Sequence, residues 1–511
     1  MANEEFDYKN IQVSVKLNKN VENIKKILDK FPDLIMREIK IANNPKHGAV
    51  FFYINKMVNI NIMEEVVIKK LISRNEYSPY DISNPEYFKY ILGINDKDIL
   101  SSMDKIINKI LDGKVVLFID EIDKAIVIDL KNIPSRNIEE PVVETVIRGP
   151  REGFTENIST DIVLIREKIK SPNLKIEQFI LGRETKTDVA IMYLSNIVNI
   201  KIVNELKERI NQIDVDALFV TNTIKEYIED DPITKFPTIF STERPDVIVA
   251  KLLGGRIAIF ANGTPVVLTV PAIFTEFLIS TEDFYVSYIY ATFNRYIRYL
   301  GFAFSILLPG LFVAIITFHQ EVIPTSLLIS LIKARSAVPY SSLFESFLML
   351  TVYELVREAG VRMPRAVGQA ISTVGALILG QAAVQAGLAS TAMVIVIATT
   401  SIAAFTIPST NMYTATILPR FIFLFLGGSL GLLGLITGVI IFLLKLISIR
   451  SFGVPYMEPL APFVKSEFGD LIMRRPIWSK TKRSSIITGK KSKKRKSFNP
   501  IEKKFKEKNR E

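Results

Sequence analysis

The chain has 511 residues, 64 Lys and Arg against 53 Asp and Glu, a formal charge of +11, and 48% hydrophobic residues. It has no cysteine and only two histidines, His47 and His319. That excludes disulfides, thiol chemistry, cysteine-based zinc or iron–sulfur centres and a histidine-rich metal site. High hydropathy beside 23% charged residues implies soluble domains joined to a membrane segment.

The start of the chain, Met1-Ala2-Asn3-Glu4-Glu5, is acidic and carries no apolar stretch of signal-peptide type. Residues 1–30 are therefore expected to be a flexible segment, with the region before the first span on the cytoplasmic side. From about residue 30 to 280, short β-rich runs alternate with polar helices, which predicts an α/β fold. An internal repeat divides this region. Val50 to Ile54 followed by Val58 to Ile60 recurs as Ala190 to Leu194 followed by Val198 to Ile200, 140 residues on. Leu111 to Asp120 recurs as Leu253 to Asn262, 142 residues on, and each copy leads into a hairpin. Two tandem subdomains of one fold are expected at 31–135 and 136–290.

Neither copy carries an evident active site. The acidic turn Asp120, Glu121 and Asp123 is polar as hairpin turns are, and the second copy lacks the acids. The run Arg148-Gly149-Pro150-Arg151-Glu152-Gly153 pairs two arginines with two glycines. Without phosphate-loop spacing it reads as a turn leading into a helix, with anion binding as the alternative.

Residues 291–465 form the predicted transmembrane helical domain. Three windows carry no charge: 299–318, 366–419 and Phe421 to Leu444. A bilayer core of about 30 Å needs about 20 apolar helical residues, so four spans are expected, near 299–318, 366–385, 390–408 and 421–446. The intervening stretch 322–357 is too charged for a span and too apolar for a loop, and predicts re-entrant or amphipathic helices. Small residues recur along two helices, at Gly368, Ser372, Ala376 and Gly380 and at Gly427 and Gly431, as helix-packing seams. Glu345 is the only charge in an 18-residue run and needs water, a cation or a partner. It is the leading candidate for a pore or gating residue, with Glu354, Gln381 and Gln385 beside it.

The basic charge sits at the end. Residues Arg474 to Glu511 hold 16 Lys and Arg against 3 acids, a local +13 that exceeds the whole-chain figure. Residues 466–511 are expected to be a disordered cytoplasmic tail drawn to anionic lipid. Nucleic acid is not an expected partner, because no binding fold accompanies the charge.

Taken together, the runs IRGPREGFTE (Ile147 to Glu156), TERPD (Thr242 to Asp246), LLGGRIAIFANGTP (Leu252 to Pro265), TEDFY (Thr281 to Tyr285), LLPGLFVAIITFHQE (Leu307 to Glu321), GALILGQAAVQAG (Gly375 to Gly387) and SFGVPYMEPLAP (Ser451 to Pro462) resemble the A subunits of the GerA-type spore germination receptors. The resemblance covers about residues 130 to 465. Gln320 and Ser336-Ala337 depart from the family's usual residues. The resemblance implies a multi-pass subunit in the inner membrane of a bacterial spore, without enzymatic activity or cofactor. It works beside a transporter-like B subunit and a lipoprotein C subunit, and oligomerises into a nutrient-gated cation channel. A transporter subunit and a non-conducting scaffold are the alternatives.

Overall fold

A computed structural model describes residues 8–41, 48–72, 88, 91–93, 98–132, 144, 148–363, 380–464, 469, 472–479 and 483–489. The chain divides into two compact units. One comprises 1–229, 239–271 and 481–496, the other 230–238, 272–480 and 497–511.

The first unit holds two five-stranded sheets of identical order. In the first, β1 (Leu34–Lys40), β2 (Gly48–Ile54), β3 (Ile99–Leu100), β4 (Val115–Ile119) and β5 (Ala125–Ile128) are arranged β1-β2-β4-β5-β3. In the second, β6 (Leu174–Leu181), β7 (Thr187–Leu194), β8 (Phe240–Thr242), β9 (Ile257–Ala261) and β10 (Val267–Val270) are arranged β6-β7-β9-β10-β8. Leu34 and Leu174 open equivalent strands, as do Val115 and Ile257, at the offsets of the sequence repeat. Every pairing is antiparallel. The expected α/β alternation therefore does not build a parallel sheet; helices and hairpins alternate on antiparallel ones.

Central strands read as unbroken apolar runs because both faces are covered. Along β2 the period of two sends Val50, Phe52 and Ile54 to one cluster and Ala49, Phe51 and Tyr53 to the other. The first cluster is closed by α1 (Leu17–Ile27) and α3 (Met103–Leu111), through Ile24, Ile27, Ile106 and Ile110. The second is closed by α2, which runs Ile60–Ile62, Met63–Ile68 with a π register, and Lys69–Ile72, through Met63, Val67 and Leu71. Residues 17–27 are thus core, which corrects the flexible segment expected over 1–30. The charged face of α1 hides a stripe at Leu17, Val21, Ile24 and Leu28.

The second sheet is covered by α4 (Ile158–Lys168) and α7 (Pro245–Leu253), and α5 (Ile200–Asn211) and α6 (Thr221–Ile228) complete this half. The halves are joined closely. Arg166 of α4, 1% exposed, grips the Asp33 carboxylate with Nε and Nη2 and stacks on Phe31 at 3.8 Å. Ile176 N–H donates to the Lys30 carbonyl at 3.0 Å. Residues 133–143 and 145–147, where the junction between subdomains was expected, lie outside the described residues.

The second unit is helical: α8 (Tyr288–Phe318), α9 (Thr325–Arg335), α10 (Ser342–Arg362), α11 (Thr391–Phe405), α12 (Thr410–Ala415) and α13 (Ile417–Ser448). By length and hydropathy, two described runs can cross a membrane, Tyr288–Phe318 and Thr410–Ser448. The second does not run straight. At Gly431 the backbone takes φ 63° and ψ −146°, a conformation that only glycine adopts readily. The Phe423 and Phe442 rings then lie 5.8 Å apart, where an unbroken helix would separate them by about 28 Å. So Phe421 to Leu444, expected as one span, is a hairpin of two helices. The span expected at 390–408 is the 15-residue α11, about 22 Å long and short of a bilayer core. The segment expected as re-entrant at 322–357 forms α9 and α10. Of the span expected at 366–385, residues up to 379 lie outside the described residues, and so do Gly368, Ser372 and Ala376.

The small-residue device survives at Gly310 and Gly427. A Cβ on Gly310 would meet the Phe423 carbonyl at 2.4 Å, and one on Gly427 would meet the Gly310 carbonyl at 2.4 Å. Here α8 and α13 cross with backbones nearly touching. Gly431 turns the hairpin against Phe318 and His319. Gly380 sits in looser contact, with Val394 3.7 Å from its would-be Cβ. Val313, Leu350, Met393, Ile397 and Leu424, from α8, α10, α11 and α13, form a common apolar centre.

The tail is also more ordered than its composition predicts. Residues 472–479 and 483–489 are packed, which corrects the fully disordered tail expected over 466–511.

Candidate functional site

Two polar clusters interrupt the apolar interior of the second unit, both carried by α10. The helix starts at Ser341, whose Oγ accepts from Phe344 N–H at 3.3 Å. One turn in, Glu345 is fully buried. Its Oε1 accepts from both the backbone N–H and the hydroxyl of Ser390, each at 2.7 Å. Ser390 is the N-cap of α11, accepting from Met393 N–H at 3.2 Å. The carboxylate therefore lies at the positive ends of two helices, which favours its charge. Arg335 Nε, at the end of α9, faces Oε2 at 3.5 Å. The loop beneath needs Gly387, φ +67°, because a Cβ would stand 2.7 Å from the Ala337 carbonyl. A lone acid that demanded a partner has one within the same chain.

The second cluster surrounds Glu354. Its Oε2 accepts from Arg357 Nε at 2.7 Å, and its Oε1 from Arg420 Nη1 at 2.9 Å. Arg420, in the first turn of α13, is fully buried and also donates through Nε to the Ser305 carbonyl at 2.7 Å. Arg357 lies 5.8 Å from the Tyr413 ring, and the Tyr413 and Tyr353 hydroxyls are 3.4 Å apart. Further along, Glu358 pairs with Arg362 at 2.8 Å. The i,i+3 and i,i+4 spacings of Glu354, Arg357, Glu358 and Arg362 place these four charges within reach of one another on one helix face. The addition is Arg420, visible in the sequence only as the single charge separating two apolar windows.

Gln381 and Gln385 are exposed and join neither cluster. Asp283, from the TEDFY run, forms a third buried ion group, with Arg295 Nε at 3.0 Å and Arg298 Nη1 at 2.8 Å. After the hairpin, Ser451 Oγ accepts from Ala272 N–H at 3.1 Å and donates to the Thr238 carbonyl at 2.7 Å. Tyr456, fully buried, accepts on its carbonyl from Phe274 N–H at 2.8 Å. Nothing in these clusters pairs a nucleophile with a base, and their chemistry is that of ionic latches between helices.

In the first unit, Arg148 to Gly153 lead into α4. Glu152 pairs with Lys168 at 2.6 Å, and Phe154 is buried edge-on to Phe260 at 5.7 Å. Asn157 caps α4 by accepting from Ser159 and Thr160. Inside the turn, Asp161 Oδ1 accepts from Thr155 N–H at 2.8 Å and Thr155 Oγ1 at 3.0 Å. Burial pushes its carboxyl up to about 7, with the Thr155 bonds opposing. The acidic turn of the first copy also has a structural role, since Asp120 Oδ1 accepts from Leu17 N–H at 3.1 Å at the start of α1.

An antiparallel, duplicated unit is followed by a helical unit in which two described runs are long and apolar enough to cross a membrane. The family model described as the Bacillus/Clostridium GerA spore germination protein matches residues 22–486, and the chain belongs to that family. The match begins within α1 and ends within the packed part of the tail, beyond the 130–465 covered by the sequence runs. Spore germination protein KA of Bacillus subtilis (strain 168) is 41% identical over 94% of this chain and 88% of its own length. The uncharacterized membrane protein YfkQ of the same organism is 36% identical over 92% and 91%. Spore germination protein GerLA of Bacillus cereus is 34% identical over 87% and 90%. The crystal structure of the N-terminal domain of the A subunit of the Bacillus megaterium spore germinant receptor GerK3 is 29% identical, covering 52% of this chain and 98% of that one, with a TM-score of 0.41. The family match and the KA and GerLA relatives support a role in spore germination.

Proposed function

We propose that the chain is the A-type subunit of a nutrient germinant receptor in the inner membrane of the spore. It oligomerises into a cation channel whose opening starts germination. The soluble unit and the tail lie on the cytoplasmic side. A transporter-like B subunit and a lipoprotein C subunit are its partners, with nutrient recognition mainly in B. Lipid covers the apolar side chains left exposed on α8 and α13, among them Phe304, Leu433, Ile441 and Leu444.

The observation that carries this reading is the Glu345 latch. A carboxylate buried in an apolar bundle is stable only while its partners stay in place. Separation of α10 from the start of α11 would release it toward water, and in an oligomer it would recur as a ring of acids, the arrangement that selects cations. Glu345 and Glu354 are then gating residues, locked in the closed subunit. Transporters usually carry two related sets of spans, whereas the repeat here is in the soluble unit. A non-conducting scaffold is the second reading, favoured by that duplicated unit.

The test is reconstitution of the purified full chain in liposomes, wild type beside Glu345→Gln, recording cation flux and oligomer size. The amide keeps an acceptor for Ser390 and loses the charge, so resting flux is expected to rise several-fold. A monomer without flux, under conditions where the whole receptor answers nutrient, would leave only the scaffold. Solute-coupled uptake by the chain alone would favour a transporter.

A further inference from the structure

Within the second unit, α9 is a helix without a core. None of its residues is buried, and Leu327, Ile329 and Ile332 are each about half exposed. The apolar centre of the bundle takes side chains from α8, α10, α11 and α13 and, among the described residues, none from α9. Among the described residues, its side chains make one polar contact beyond their own helix, that of Arg335 with Glu345. Elements with so little buried contact are those that open most readily.

That contact differs in kind from the one Glu345 makes through its other oxygen. Oε1 takes two hydrogen bonds of 2.7 Å from Ser390, and Ser390, 1% exposed, is fixed as the N-cap of α11. Arg335 Nε lies 3.5 Å from Oε2, and both atoms are buried with no hydrogen-bond partner. The hold on this side is the attraction of two charges, without a directional bond. A buried carboxylate that loses its counter-charge must be rehydrated or expelled.

We propose that α9 is the moving arm of the Glu345 latch and Arg335 its catch. While the guanidinium stays, the junction of α10 with the start of α11 is closed to water; when α9 moves away, water enters beside Glu345. This deepens the gating reading above and rests on it for cation flux alone, because closure of the junction is a property of the chain itself.

The absence of cysteine lets the junction be read directly. Ser346, next to Glu345, is fully buried and its hydroxyl has no partner. Ser346→Cys places there a thiol of nearly the same size, which reacts only if water reaches it. The full chain carrying it, in membrane vesicles, is treated with a cationic methanethiosulfonate, and the labelled fraction is followed by mass. Labelling is expected to be slow beside Arg335 and about ten-fold faster with Arg335→Gln. Arg335→Lys keeps the charge and has no hydrogen bond to lose, so its rate should stay close to the starting one. Adding Glu345→Gln to Arg335→Gln removes the stranded carboxylate and should slow labelling again. Ser401→Cys, buried further along α11, is expected to stay protected in every variant. Arg335→Met serves if Arg335→Gln does not accumulate. Unchanged labelling at position 346 in Arg335→Gln overturns the proposal, as does an equal rise at position 401, which would mean general loosening. An Arg335→Lys rate as fast as that of Arg335→Gln overturns the charge catch. Cation flux is recorded on the same vesicles, and faster labelling with flux at the wild-type level supports the moving arm and tells against the channel reading alone.

Discussion

Arg420 Nε donates to the backbone oxygen of Ser305 at 2.7 Å, and Pro309 is the reason that oxygen is available. A proline within a helix removes the N–H that would serve the carbonyl four residues earlier, and Pro309 lies inside α8. In a lipid-surrounded helix an open carbonyl must find another donor. Arg420 supplies it and uses a second nitrogen to hold Glu354 on α10. One guanidinium thus ties together the proline site of α8, the start of α13 and the middle of α10.

Arg420→Met is therefore expected to cost about 1–3 kcal/mol, because it leaves the buried Ser305 carbonyl open and the half-buried Glu354 carboxylate with Arg357 as its remaining partner. Adding Glu354→Gln removes the carboxylate that has lost a partner and should recover part of the loss. Thermal unfolding of the purified chain in detergent, for both single variants and the double, measures this. Additive losses would mean that the two residues are not coupled.

Gly310 and Gly427 bring α8 and α13 together with no room for a methyl group, since either Cβ would stand 2.4 Å from a backbone oxygen that cannot rotate away. Gly310→Ala and Gly427→Ala are each expected to lower the yield of folded, monodisperse protein sharply. Gly380→Ala, whose Cβ would make an ordinary 3.7 Å contact, should be neutral or slightly stabilising through helix propensity. Size-exclusion profiles in detergent distinguish the two outcomes.

These contrasts also mark what the sequence made legible. The repeat was readable because each copy joins an unbroken apolar strand to a turn, as Val115 to Ile119 and Ile257 to Ala261 do. That Glu345 must have a partner followed from its isolation among apolar residues. Its partner, Ser390, could not be read, because the two lie 45 residues apart and meet only when α10 packs against the start of α11. The hairpin at Gly431 was hidden for a different reason. Glycine is common in membrane helices, so neither composition nor hydropathy separates one that packs from one that reverses the chain. Arg420 looked like a boundary between spans, although its isolation was the signal that it pairs with something buried.

The first unit carries a pH-sensitive element at Asp161. Its folded carboxyl is pushed up to about 7 from 3.8 by burial, so the folded state holds a proton that the unfolded state has released. Stability is then greatest below about pH 4, falls as pH rises toward 7, and is level above it. A difference of this size is worth at most about 4 kcal/mol. Asp161→Asn keeps an acceptor for Thr155 and removes the ionisation, so its stability should vary less over that range and exceed wild type at pH 8. Urea midpoints for residues 148–271, followed by limited proteolysis of the full chain at pH 5 and pH 8, test the sign. A wild-type midpoint that rises with pH while the variant stays level would refute it.

Trp478 is the sole tryptophan, and it packs on Tyr288 at the start of α8, where Tyr290, Phe293 and Tyr296 are also exposed. Aromatic rings of this kind collect at the bilayer interface, and the lysine-rich run that starts at Lys490 has the charge that anionic headgroups attract, at about 1 kcal/mol per basic residue near a membrane surface. Arg474 donates through its backbone N–H to Thr292 Oγ1 at 3.1 Å and through Nη1 to the Val286 carbonyl at 2.8 Å. In reconstituted vesicles, Trp478 fluorescence should be quenched by lipids brominated close to the headgroup and much less by lipids brominated near the bilayer centre. Deleting residues 490–511 should leave that depth unchanged, because Arg474 and Tyr288 hold the segment, while weakening attachment to anionic vesicles in a salt-dependent way. Quenching strongest at the bilayer centre would mean that the collar at the start of α8 does not mark the interface, and unchanged attachment would remove the tail from lipid contact.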